Sequence, residues 1–142
     1  MTPKDRQLID LLRVNARESV SSLARKLQVA RTTVQERLRR LEESGTIAGY
    51  TVRLGQTPER PALTAHVLLE VNPKKADGVI RELKAIPAVR GLYALSGSFD
   101  YLAIVETGSP HEIDQVVDRM GRVEGVEKTA TSIVLSIKFE RP

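Results

Sequence analysis

The first fifty residues carry their apolar side chains at helical rather than strand intervals. Leu8, Ile9, Leu11 and Leu12 make one stripe, and Val20, Leu23, Ala24 and Leu27 make a second at i, i+3, i+4 and i+7. Thr2-Pro3-Lys4-Asp5 opens the first helix: Thr2 can cap, Pro3 sits where its missing N–H does no harm, and Asp5 suits the positive helix end. Ser19 or Ser21 opens the second. A short break at Gln28-Val29-Ala30 leads into a third stripe of Val34, Leu38 and Leu41, with Arg31, Thr32, Thr33, Gln35, Glu36, Arg39 and Arg40 on its sides and back. Gly45 stops that helix as a left-handed C-cap. Thr46 to Leu54 then reads as short extended structure bent at Gly49, the hairpin wing of a winged helix-turn-helix. Gln28 stands where such a turn favours Gly, and a left-handed angle there costs about 1 kcal/mol. Ala30 is a poor N-cap, which leaves Arg31 or Thr32 to define the start of the third helix.

Past residue 54 the pattern changes. The polar, proline-bearing segment from Gly55 to Ala62 reads as a linker. Leu63–Val71 is a strand, Asn72-Pro73 opens a helix carrying Val79, Ile80, Leu83 and Ile86, and Val89–Leu95 and Asp100–Glu106 are two further strands. Ser109-Pro110-His111-Glu112 resembles a capping box for a helix carrying Ile113, Val116, Val117 and Met120. Val126 to Phe139 closes as a long fourth strand. The order β-α-β-β-α-β is ferredoxin-like. The predicted fold class is therefore α+β: a winged helix-turn-helix over 1–54, a linker over 55–62, and a ferredoxin-like domain over 63–142. An antiparallel sheet with helices on one face leaves its other face open to a partner sheet, so a homodimer is expected.

Charge sharpens this division. Residues 1–62 hold 12 Lys and Arg against 7 Asp and Glu, while residues 63–142 hold 10 against 11. Only the first half is set to meet a polyanion. Aromatic residues are 4% of the chain, and Tyr50 is the single one in the basic half, which disfavours a base-stacking platform and favours duplex DNA. There is no Cys, so disulfides and thiolate metal sites are excluded. No stretch reaches the ~20 apolar residues that cross a bilayer, and the opening residues lack the apolar core of a signal peptide. The expected compartment is the cytoplasm, without membrane partners.

A helix that enters the major groove needs short polar side chains and Arg near its N-terminal end, because base edges there present a readable donor and acceptor pattern. Arg31, Thr32, Thr33, Gln35, Glu36 and Arg39 meet that requirement, and Arg25 and Lys26 on the preceding helix suit phosphate contact. The alternative is a helical bundle whose arginines only solubilise it. In the second half, Ser96-Gly97-Ser98-Phe99-Asp100-Tyr101 is either a hairpin loop with Phe99 tucked into the core or a zwitterion site. In the latter, Gly97 lets backbone N–H groups approach a carboxylate and Asp100 pairs with an ammonium group. His66 and His111 have no partner at metal-ligand spacing, and no nucleophile elbow or phosphate loop is present. No catalytic residue, metal or cofactor is expected.

With these residues in place the chain resembles the Lrp/AsnC family of transcriptional regulators. The resemblance rests on Leu23-Ala24-Arg25-Lys26-Leu27, on Val34 through Gly45 with Ile47 and Gly49-Tyr50, on Ser96 through Tyr101, and on a Gly125-Val126 corner before Thr129, Thr131 and Ser132. It implies a regulator whose C-terminal domain binds an amino acid or related metabolite and whose dimers join into octamers. By the same resemblance the effector lies near Gly97, Ser98, Phe99, Asp100 and Tyr101 and the strand of Thr129, Thr131 and Ser132. Ser98 departs from the acidic residue found there in many members. Two alternatives stay open: a DNA-compacting architectural protein without an effector, and a regulatory subunit of a metabolic enzyme.

Overall fold

A computed structural model describes residues 1–55 and 62–141. The expected linker falls mostly on residues 56–61 and so lies outside them. The chain divides into two compact units, Met1–Leu54 with the C-terminal residues from Glu140, and Gly55–Phe139.

The first unit contains α1 (Pro3–Val14), α2 (Val20–Leu27) and α3 (Arg31–Glu43). Leu8, Leu23, Ala24, Leu27, Val34 and Leu41 form its core, with Leu38 and Ile47 packed at the edge. Thr2 and Asp5 close a reciprocal capping box: the Asp5 N–H donates to Thr2 Oγ1 at 3.2 Å and the Thr2 N–H donates to Asp5 Oδ2 at 2.7 Å. Asp5 does more than cap. It is buried, and its Oδ1 accepts from Arg37 Nη1 at 2.6 Å, which ties α1 to α3. Lys4 Nζ donates to the Leu27 carbonyl at 2.6 Å and ties α1 to the end of α2.

The turn between α2 and α3 is as tight as its sequence requires. Gln28 takes the left-handed conformation (φ 55°, ψ 48°), and the Val29 N–H folds back to the Ala24 carbonyl at 3.0 Å. Ala30 gives no side-chain cap, and α3 starts at Arg31.

The expected wing strands do not form: residues 46–55 contain no strand. Ile47 is held by its N–H to the Leu41 carbonyl at 2.9 Å, but Tyr50, Val52 and Leu54 are exposed. Alternating apolar side chains form a hairpin only against a surface that buries one face of it, and this segment leaves both faces in solvent.

The second unit contains β1 (Leu63–Val71), a 3-10 turn (Pro73–Lys75), α4 (Ala76–Lys84), β2 (Val89–Ala94), β3 (Tyr101–Thr107), α5 (Pro110–Gly121) and β4 (Val126–Ile133). The sheet order is β2-β3-β1-β4 with every neighbour antiparallel, the ferredoxin-like topology. Ala65, Val67, Leu69 and Val71 of β1 and Ala103 and Val105 of β3 face the helices and meet Val79, Leu83, Ile86, Ile113 and Met120. Gly125 has φ +105°, and a Cβ there would lie 2.7 Å from Lys75 Cβ, so this corner admits only Gly.

Three further expectations, and one detail of the hairpin-loop alternative, need correction. The fourth strand ends at Ile133, not Phe139. β1 begins at Leu63, and after the Val134 N–H reaches the Thr64 carbonyl the chain runs beyond its neighbour, leaving Leu135, Ile137 and Phe139 exposed. Phe99 is only partly buried and lies outside the core, with the Lys128 ammonium 5.8 Å from its ring centre. Ile80 is exposed, because α4 turns Val79 and Leu83 inward instead. The Ser109 hydroxyl does accept from the Glu112 N–H, but Glu112 Oε2 reaches back to the Gly108 N–H rather than to Ser109.

Two stability predictions follow from the first unit. The Thr2 backbone N–H, and then Arg37 and the Thr2 hydroxyl, outweigh burial and lower the Asp5 pKa from 3.8 to about 2. A carboxyl depressed in the folded state contributes above its unfolded pKa and loses that contribution as pH falls through its folded one. Asp5→Asn should thus cost about 2 kcal/mol at neutral pH, with the gap to the parent closing between about pH 4 and pH 2. Urea unfolding across that range measures this, and a pH-independent gap would contradict it. At the turn, Gln28→Gly should leave stability unchanged or raise it by up to about 1 kcal/mol. Gln28→Val should lower it by about 1 kcal/mol or more, and equal midpoints for the two variants would show that the angle carries no strain.

Candidate nucleic-acid interface and effector site

Helix geometry decides which side chains of α3 are available. Val34 and Leu41 are buried and Leu38 is half-buried, and Arg37, three residues after Val34, joins that inner stripe through Asp5. Arg31, Thr32, Gln35, Glu36, Arg39 and Arg40 are exposed, and Thr33 is intermediate. Every residue expected to touch DNA from this helix therefore lies on its outer or flanking side.

These side chains are not all equally free. Arg39 Nε and Nη2 donate to the Glu36 carboxylate at 3.1 and 2.6 Å, and its Nη1 donates to Glu43 Oε2 at 2.5 Å. Both carboxylates raise the Arg39 pKa, and Arg39 in turn lowers that of Glu36. The three groups are about half exposed, so water screens the pairs and a nucleic acid can displace them at small cost. Lys26 is paired with Glu18, whose Oε1 also accepts from the Ser22 hydroxyl at 2.7 Å. Arg25 is exposed and makes no ion pair among the described residues. At the start of α3 the first-turn N–H groups meet no side-chain oxygen from Ala30, which leaves a positive helix end open to an anion.

Two residues that sequence reasoning passed over also shape this surface. Arg37 locks the rotation of α3 through Asp5, and the Tyr50 hydroxyl donates to Glu42 Oε1 at 2.7 Å. Partial burial and the Glu42 carboxylate push the Tyr50 pKa up to about 12. The spacing from Glu42 to Tyr50 gave no signal for this contact, whereas Arg37 at three residues from Val34 was readable as inward-facing.

In the second unit the loop between β2 and β3 turns through Gly97, whose φ of +142° disfavours any other residue. Ser96, Gly97, Ser98 and Asp100 are exposed. Asp100 also has a structural task. Its Oδ2 accepts from the Val71 N–H at 2.8 Å, its own N–H donates to the Leu69 carbonyl, and its carbonyl accepts from Leu95. One carboxylate oxygen thus closes the irregular end of β1, while the side chain stays in reach of solvent.

Strand register sorts the remaining candidates. Tyr101 and Thr129 are both opposite Leu69, one on each side of it, and Thr131 is opposite Val67, so these three share the helix-facing side of the sheet. Ser132 is opposite His66 and points to the other side. Phe99 reaches β4 through Lys128. The structure therefore gathers the 97–101 loop and Thr129 at one end of the sheet, places Thr131 farther along the same face, and separates Ser132 from both. Two surface hollows of about 530 and 620 Å3 lie elsewhere on this unit, on its helical side. No group of His, Asp or Glu among the described residues is arranged to hold a metal ion, and no described helix is long and apolar enough to cross a membrane.

Comparison with known proteins agrees with this geometry over both units. The model of the Lrp/AsnC ligand binding domain matches residues 64–142, and that of the AsnC-type helix-turn-helix domain matches residues 1–42. An uncharacterised helix-turn-helix-type transcriptional regulator of Pyrococcus furiosus is 34% identical, with 96% of this chain aligned to 92% of the relative. The transcriptional regulator LrpA of Pyrococcus horikoshii is 29% identical over 93% of this chain and 94% of its own. Among solved structures, a transcriptional regulator of Neisseria meningitidis in complex with L-methionine superposes with a TM-score of 0.92 at 20% identity, covering 99% of this chain and 94% of that one. Escherichia coli AsnC gives 0.91 at 19% identity, over 100% and 97%. With both domain models matched in this order, the chain belongs to the Lrp/AsnC family of transcriptional regulators.

Proposed function

We propose that this regulator reads duplex DNA with α3 and that an amino acid or related small metabolite modulates its DNA binding or assembly through the second unit. The observation that carries the first part is the division of α3 into a buried stripe and an outer face of Arg31, Thr32, Gln35, Glu36 and Arg39. A helix of that kind fits the major groove, where Arg reads guanine and Gln reads adenine. Arg25 and Lys26 supply phosphate contacts that fix register. Support for an amino-acid effector comes from the exposed Gly97–Asp100 loop and from the Neisseria relative, which was solved with L-methionine.

Assembly belongs to the same proposal. On the side of the sheet away from the helices, Leu68, Tyr93, Leu102, Ile104 and Ala130 form an apolar surface. A second copy of this sheet would cover it and give a homodimer with two recognition helices, placed about one helical turn of DNA or a multiple apart. Higher assemblies such as an octamer would present several such pairs. A cytoplasmic location follows from contact with DNA.

Arg39→Ala should weaken operator binding by about 1–3 kcal/mol if the guanidinium reaches a base edge. Because the variant also releases Glu36 and Glu43, salt-matched gel shifts on operator and on unrelated duplex are compared. A loss confined to operator supports base readout, and unchanged operator affinity contradicts it. For the effector, the Asp100→Asn variant keeps an oxygen for the Val71 N–H and removes the charge. Each proteinogenic amino acid is titrated by calorimetry, with assembly size followed by sedimentation. The parent should respond to at least one and the variant to none. A retained response would move the site elsewhere, and an unresponsive parent would favour the effector-free architectural reading.

A further inference from the structure

The helical side of the second unit bears a concentration of positive charge that belongs neither to the outer face of α3 nor to the loop around Asp100. A groove of about 620 Å3 between α4 and α5 is lined by Lys74, Lys75, Arg81, Arg119 and Arg122. These are five of the ten Lys and Arg residues in a segment, 63–142, where acids outnumber bases by one. Two carboxylates, Glu82 and Glu124, also line it, leaving an excess of three positive charges. Lys75 is held by Glu124 at 2.5 Å. Lys74, Arg81, Arg119 and Arg122 form no ion pair among the described residues.

Helix polarity accounts for part of this set. Arg81 and Arg119 stand in the last turns of α4 and α5, where a cation complements the negative helix end. Lys74 and Lys75 stand just before the first turn of α4, at its positive end, where a cation is disfavoured. Asp77 in the first turn answers the helix end, but Lys74 itself forms no ion pair among the described residues, and an anion in the groove would supply one.

We propose that this groove is a second effector site, for a small anion carrying two or more phosphate groups, such as the polyphosphate of a nucleotide. Its volume lies within the roughly 300–1,000 Å3 of small-ligand sites. Cations reach it from both walls, and Arg guanidinium groups match phosphate oxygens in pairs. No aromatic ring lines it, so the phosphates rather than a base carry recognition. This site is independent of how α3 meets DNA.

Sodium tripolyphosphate titrated into the full chain by calorimetry tests the assignment, with sodium sulfate at equal ionic strength as the control. The parent should bind tripolyphosphate saturably and sulfate weakly. The Arg119→Ala/Arg122→Ala variant should lose affinity by roughly tenfold or more, while its thermal midpoint in the absence of ligand falls only slightly, as loss of a cation at the end of α5 requires. Lys74→Ala, on the exposed turn, gives a second reading should the double variant fold poorly, and it too should bind more weakly. Absence of saturable binding, equal affinity in the variants, or equal binding of sulfate would overturn the proposal. So would variants that flatten the salt dependence of DNA binding without any tripolyphosphate binding, which would make the groove a contact for the DNA backbone.

Discussion

The rotation of α3 about its own axis is the constraint on which the DNA-facing chemistry depends. Thirteen residues of helix can bury one stripe, and here the stripe is fixed twice: by Val34 and Leu41 in the core, and by the half-buried Arg37 that answers the buried Asp5 at 2.6 Å. Apolar packing alone tolerates some slippage, whereas a turn of α3 that takes Arg37 away from the buried Asp5 carboxylate costs about 2 kcal/mol. The ion pair therefore converts a preference into a set angle. With Arg37 turned inward, Thr32, Glu36 and Arg39 are turned outward. The same carboxylate caps α1, so the start of α1 and the outer face of α3 are fixed by one small network.

The second unit follows a different rule. Its sheet buries one side against α4 and α5, and its register assigns every strand residue to a side. That assignment places Tyr101, Thr129 and Thr131 with the helices and Ser132 away from them. The Asp100 carboxylate works at the boundary, since it closes the end of β1 while its loop remains in solvent. A residue that holds a strand end and also borders a candidate ligand site links ligand charge to sheet geometry, and the exposed sheet surface is the one proposed to meet a second copy.

How far the sequence could be read depended on how local each determinant was. Helix starts at Thr2 and Ser109, the left-handed Gln28 and the uncapped Ala30 are set by neighbours within four residues and were legible, while the second helix start was narrowed to Ser19 or Ser21 and falls at Ser19. The strand order was legible from element order, because few topologies satisfy βαββαβ. The Asp5–Arg37 pair, 32 residues apart, was not, because the cap alone explained Asp5. The wing and the long fourth strand were over-read for one reason. Alternation at 50, 52 and 54 and at 135, 137 and 139 shows that a segment can pair, not that a partner strand is present in the chain. Separation of Thr131 from Ser132 was available from period-two alternation, but the resemblance that grouped them is blind to sheet sides.

Backbone amide NMR of the full chain, titrated with its operator duplex, distinguishes DNA contact through α3 from contact elsewhere. The largest shift changes should fall on Arg31 to Arg39 and on Arg25 and Lys26, with the amides of α4 and α5 little changed. Large changes confined to the second unit, with the amides of α3 unmoved at saturation, would contradict contact through α3.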